Sequence, residues 1–130
     1  MTPSLVTTTA SGSVGAVRDQ LRAGVDHDVD LDGVVVVDDD GRLVDDVTVL
    51  ELFLAESDTP VGSLVGPPWP VTVSLTDPID TVIDRLVDSR RTSVVVVDAD
   101  GRPVGRIMAD DAIDALVSDR GRFRFPRLLS

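Results

Sequence analysis

Cysteine is absent, and so is lysine. Without a thiol the chain forms no disulfide and offers no thiolate for metal binding or nucleophilic attack, a composition that suits a reducing compartment. Without lysine every basic side chain is an arginine, twelve against 23 acids, and the formal net charge is -11. That balance repels phosphate backbones and argues against a nucleic-acid partner. Histidine occurs once, at His27, where an acidic stretch marks it as a solvent-facing loop residue. No apolar run approaches the roughly 20 residues that cross a bilayer. The first ten residues also lack the charged start and apolar middle of a signal peptide. The expectation is a cytoplasmic module with no direct membrane insertion.

What the chain does have is one phrase written twice. VVVVDDDGRLV begins at Val34 and VVVVDADGRPV at Val94. At an offset of 60 the four valines coincide, followed by Asp38 with Asp98, Asp40 with Asp100, Gly41 with Gly101, Arg42 with Arg102 and Val44 with Val104. Upstream the copies align at an offset of 65, Val17 on Val82 and Leu21 on Leu86, so the first copy carries five extra residues around positions 25–32. Two copies in 130 residues argue for a pseudo-symmetric pair that closes on itself, with neither half large enough to hold a stable core alone.

Each copy reads strand, helix, strand, strand, helix. In the first, residues 5–8 are extended, Ser13 caps an amphipathic helix carrying Val14, Val17 and Leu21, and Gly24 ends it. The β-branched run 34–37 suits a strand buried on both faces, and Asp39, Asp40 and Gly41 turn it into a second strand over 43–48. A short helix follows over 49–55. In the second copy a strand over 71–75 leads to Asp77, expected to cap a helix with Pro78 in its first position. The hairpin then recurs, and a last helix begins at Asp110 or Asp111. The intervening VDHDVDLDG places Asp28, Asp30, Asp32 and Gly33 at calcium-loop positions, with Asp39 at the twelfth. A calcium loop needs a longer carboxylate there and a helix after it, so an acidic surface loop is the better reading.

This order resembles the tandem CBS domain pair, over nearly the full length of both copies. The words MTPSLV, VGAVRDQLRAG, GRLVDDVTVLELFLA, DTPVG and GRIMADDAIDAL are similar to the cytosolic CBS region of MgtE-type magnesium transporters. The resemblance implies an α/β fold in which each repeat is β-α-β-β-α and the two repeats pack about a pseudo-two-fold axis. Repeat one would span 1–66 and repeat two 67–119. A tail over 120–130 interleaves arginine with phenylalanine and leucine and is expected to dock on its own domain or a partner. No enzymatic chemistry is implied.

The resemblance further implies two clefts for adenosine nucleotides such as AMP, ADP or ATP. A Thr or Ser after the third strand would serve phosphate, and an Asp three residues later would serve ribose. Copy one places Thr48 and Glu51 there, and copy two Met108 and Asp111. Each copy departs once, the first with a longer carboxylate and the second with a thioether that barely hydrogen-bonds. Adenine is expected against Val94 and Val95, with Arg90, Arg91 or Arg106 near the phosphates. Asp45 and Asp46 stand where many members have Gly and an apolar residue. With Asp38 and Asp40 they are the candidate carboxylates for Mg²⁺, a hard ion satisfied by one or two of them plus waters.

Partner expectations are a homodimer, formed through Val82, Leu86, Ile113 and Leu116, and an attached or separate magnesium transporter. VVVVDDD also looks like the opening of a phosphorylation receiver domain, but that site needs a lysine and the chain has none. Ligand-sensing module and dimerisation scaffold remain the two readings open to the sequence.

Overall fold

The computed structural model describes residues 5–24 and 32–119. The acidic segment 25–31, with His27, Asp28 and Asp30, and the tail 120–130 lie outside the described residues, so the tail reading falls there and, of the calcium-loop positions, Asp32, Gly33 and Asp39 alone are described. The elements are β1 (Thr7–Thr8), α1 (Val14–Gly24), β2 (Gly33–Val37), β3 (Leu43–Thr48), α2 (Val49–Leu54), β4 (Thr72–Ser74), α3 (Ile79–Ser89), β5 (Ser93–Val97), β6 (Pro103–Met108) and α4 (Ala109–Asp119). They form two three-stranded sheets of identical plan. In each, a short strand runs parallel to the valine strand, which pairs antiparallel with the strand after the hairpin. The fold is the mixed α/β tandem pair.

The hairpin explains the repeated phrase. Asp38 Oδ1 accepts from the N–H groups of Asp40 and Arg42, both at 2.9 Å, and Asp98 does the same for Asp100 and Arg102. Gly41 and Gly101 both sit at φ +81°, a left-handed conformation that glycine adopts without steric cost. The Asp and Gly of each copy are therefore turn chemistry.

Strand alternation divides the valines between two faces. Val34, Val36 and Val47 join Val14, Val17, Leu52 and Val61 in one core, under the helices of the first repeat. Val94, Val96 and Ile107 join Val73, Ile79, Val82, Leu86 and Ala112 in a second. Val35 and Val95, equally buried, belong to neither. They lie on the opposite faces, where the sheets meet.

Several local expectations are revised. Ser13 Oγ accepts from Ala16 N as a cap should. Asp77 does not cap α3, because its Oδ2 turns back to the Ser74 N–H at 2.7 Å and Pro78 becomes the residue before the helix. A 3₁₀ turn at Val61–Leu64 follows α2. Val82 and Leu86 are interior and cannot dock a partner. Ile113 is exposed as expected and the Leu116 side chain lies outside the described residues; the exposed large apolar side chains on helices are Leu50, Phe53 and Leu54 on α2, Val87 on α3, and Ile113 and Val117 on α4, with Val44, Trp69 and Leu75 exposed elsewhere. Among the described residues no helix is long and apolar enough to cross a membrane.

Candidate functional site

The seam between the sheets is polar at its centre. Register sets Asp46 opposite Val35 on the first sheet and Arg106 opposite Val95 on the second. Arg106, 1% exposed, donates Nη1 to Asp46 Oδ2 at 2.8 Å and Nη2 to Oδ1 at 2.6 Å, and Nη1 also donates to Ser93 Oγ at 2.7 Å. Asp32 lies 3.7 Å from the guanidinium, accepts from Thr92 Oγ1 at 2.7 Å and takes the Ser93 hydroxyl as well. A bidentate fork of this kind is the geometry that makes burial of two charges tolerable. At the hairpin tips Leu43 N donates to Gly101 O, and Arg102 Nε donates to Asp40 O, both at 3.0 Å.

The candidate clefts flank this pair, because Thr48 follows Asp46 and Met108 follows Arg106 by two residues and so shares its face of the strand. The carboxylate position beyond differs between the copies. In the first, Thr48 and Glu51 satisfy one another as a capping box: Thr48 Oγ1 accepts from Glu51 N at 3.2 Å, and Glu51 Oε1 accepts from Thr48 N at 3.2 Å and from its hydroxyl at 3.0 Å. In the second, Met108 offers no cap. Asp111 is half-buried in the first turn of α4, and its side chain makes no hydrogen bond to another described residue.

The other sequence-nominated residues are dispersed. Val94 faces the helices of its own repeat; only Val95 is on the seam face, and it is fully buried. The two cannot line one cleft, since neighbours on a strand point opposite ways. Arg106 is committed to Asp46. Arg91 donates Nη2 to the Pro68 and Trp69 carbonyls, at 3.0 and 3.1 Å. The four proposed metal carboxylates do not converge. Asp38 closes its turn, and Asp40 is exposed at the tip. Asp45, on the helix-side face, accepts from Asp46 N at 2.8 Å and from Gly66 N at 3.0 Å, and Asp46 holds Arg106. Among the described residues no group of three or more His, Cys, Asp or Glu could hold a metal ion. The residues that sequence reasoning missed are Asp32, Thr92 and Ser93.

The CBS domain family model matches residues 70–118. The magnesium transporter MgtE of Thermus thermophilus is 31% identical over 120 residues, which is 92% of this chain and 26% of the transporter. The chain thus spans about a quarter of that relative's length. A solved cytosolic domain of the Mg²⁺ channel MgtE, in complex with ATP, superposes with a TM-score of 0.81 at 30% identity, covering 88% of this chain and 46% of that one. CBSX2 in complex with AMP superposes at 0.68 with 24% identity, over 89% of this chain and 90% of that one, a likeness of fold.

Proposed function

Given that the chain is a pair of CBS domains similar to those of the MgtE cytosolic domain, we propose that it is the regulatory module of a magnesium-transport protein. In this reading it lies at the cytoplasmic face, associates as a homodimer, and takes the nucleoside end of an adenine nucleotide beside Asp111. The observation that carries the ligand half is the difference between two equivalent carboxylates. Glu51 is held by Thr48, whereas the Asp111 carboxylate makes no hydrogen bond to another described residue, its N–H alone donating to Asp110 Oδ1. A carboxylate with both oxygens unengaged accepts from two vicinal ribose hydroxyls, and the Met108 thioether beside it offers an apolar, polarizable contact to a base.

Two of the three cations meant for phosphate are held elsewhere, Arg106 by Asp46 and Arg91 by two carbonyls, which leaves Arg90. The cleft therefore grips the nucleoside more than a polyphosphate chain. Mg²⁺ enters as the counter-ion of the bound phosphates, since the chain's own candidate carboxylates are engaged in turns and pairs or stand apart. Calorimetry with AMP, ADP and ATP in Mg²⁺-free buffer tests this: AMP should bind at least as tightly as ATP, and MgCl₂ should improve ATP more than AMP. The scaffold reading draws support from the sealed seam, with Val35 and Val95 fully buried. The absence of heat with every nucleotide at millimolar concentration would favour it.

A further inference from the structure

Three pairs of equivalent positions at the centre of the seam, 60 residues apart, divide their chemistry by side. Positions 32, 33 and 46 carry Asp, Gly and Asp, while 92, 93 and 106 carry Thr, Ser and Arg. The first repeat supplies acceptors and the second supplies donors: Thr92 and Ser93 to Asp32, and both terminal nitrogens of Arg106 to Asp46. At the hairpin tips the direction is mixed, Arg102 Nε donating to the Asp40 carbonyl and Leu43 N to the Gly101 carbonyl, so the division by side belongs to the side chains at the centre of the seam.

We propose that this division is a pairing code, by which the sheet face of the first repeat docks the face of the second and rejects a second copy of itself. The valines of the seam do not discriminate. Val35 and Val95 are the same residue on equivalent strands, buried to the same extent, and two valine faces would pair first with first as readily as first with second when chains meet. Like pairing would set Asp46 against Asp46 with Asp32 close by, or Arg106 against Arg106. Either arrangement leaves like charges buried, and no valine contact offsets that. Position 33 belongs to the code. A Cβ there would stand 2.7 Å from Val47 O and 3.0 Å from Asp46 Oδ1, so glycine is required first by the Val47 backbone and also leaves room for the carboxylate. Its counterpart Ser93 places a hydroxyl between Asp32 and Arg106. Discrimination thus comes from building repulsion into the wrong partner as well as attraction into the right one.

The test uses the full chain with Asp46→Leu, Arg106→Leu and the double variant, followed by thermal melting and by size-exclusion chromatography with light scattering across concentrations. Arg106→Leu strands the buried Asp46 carboxylate and Asp46→Leu removes the bidentate partner of the buried Arg106, so each should lower the melting temperature by roughly 10 °C. The double variant should melt within about 3 °C of the wild type or above it, yet populate assemblies the wild type does not, because like repeats of different chains now pair. Singles that melt with the wild type would overturn the proposal. So would a double variant whose loss is the sum of the singles, or one whose elution profile matches the wild type. Should a single variant fail to fold, Asp46→Asn keeps the shape and removes the charge. It should melt lower, and an unchanged melting temperature would overturn the proposal equally.

Discussion

Arg18 of α1 gives its guanidinium to the end of α2, with Nε 3.0 Å and Nη2 2.6 Å from Leu52 O, and Nη2 also bonding the carbonyls of Phe53 and Ala55. A helix end leaves carbonyls without partners, and α2 spans only six residues, so one arginine supplies much of what its last turn lacks. Arg18→Met should destabilise the chain by about 2 kcal/mol, measured by urea denaturation. Arg18→Lys should recover less than half, because an ammonium cannot fork to several carbonyls.

Asp45 is a structural carboxylate in this account. Its two oxygens take the N–H groups of Asp46 and Gly66, and Asn in its place offers a single acceptor oxygen. Asp45→Asn should cost about 1 to 2 kcal/mol, with the same loss whether or not MgCl₂ is present at matched ionic strength. A loss confined to Mg²⁺-containing buffer would make Asp45 a metal ligand.

Gly33 and Gly101 should respond differently to alanine. At Gly101 the space is open and only the left-handed backbone resists, a cost of about 1 to 2 kcal/mol. At Gly33 the added carbon meets the Val47 carbonyl at 2.7 Å and the Asp46 carboxylate at 3.0 Å. Gly33→Ala should therefore destabilise more than Gly101→Ala in the same denaturation assay, and should keep most of its excess in an Asp46→Leu/Arg106→Leu background, because the Val47 carbonyl stays in place.

Self-association should depend on side chains that the fold leaves outside. Ile113 and Val117 lie four residues apart on α4 and are exposed, and Val87 is exposed on α3; with Ile83, Leu86, Arg91 and Ala109, Ile113 and Val87 line one groove. Val117→Asp should convert a dimer to a monomer in light scattering, with little change in the melting temperature of the isolated fold, since that side chain touches solvent. A dimer that persists would move the interface to Leu50, Phe53 and Leu54.

Much of this was legible in the residues, and the failures have definite causes. Repeats, hairpins and helices follow from the duplicated phrase and from apolar spacing. The assignment of Val94 and Val95 to one cleft failed because a run of four valines hides strand alternation: with every position apolar, nothing in the letters says which pair faces the helices. Arg106 looked like a phosphate ligand because a lone arginine in a strand has no visible partner. The signal was present as an opposite charge at the equivalent position, Asp46, but equivalence becomes contact only when the pseudo-two-fold axis passes between the two. Asp77 was misread because its carboxylate has two donors within reach, the free N–H groups of α3 and the Ser74 N–H, and the chain's turn selects the second.

In the proposed function one cleft of the pair, the one beside Asp111, takes an adenine nucleotide. Isothermal titration of AMP into Asp111→Ala and Glu51→Gln tests it most directly, the second variant retaining an oxygen for the cap of α2. One site per chain is expected, weakened at least tenfold by Asp111→Ala and unchanged by Glu51→Gln. Binding that survives Asp111→Ala intact, or falls with Glu51→Gln instead, would contradict it.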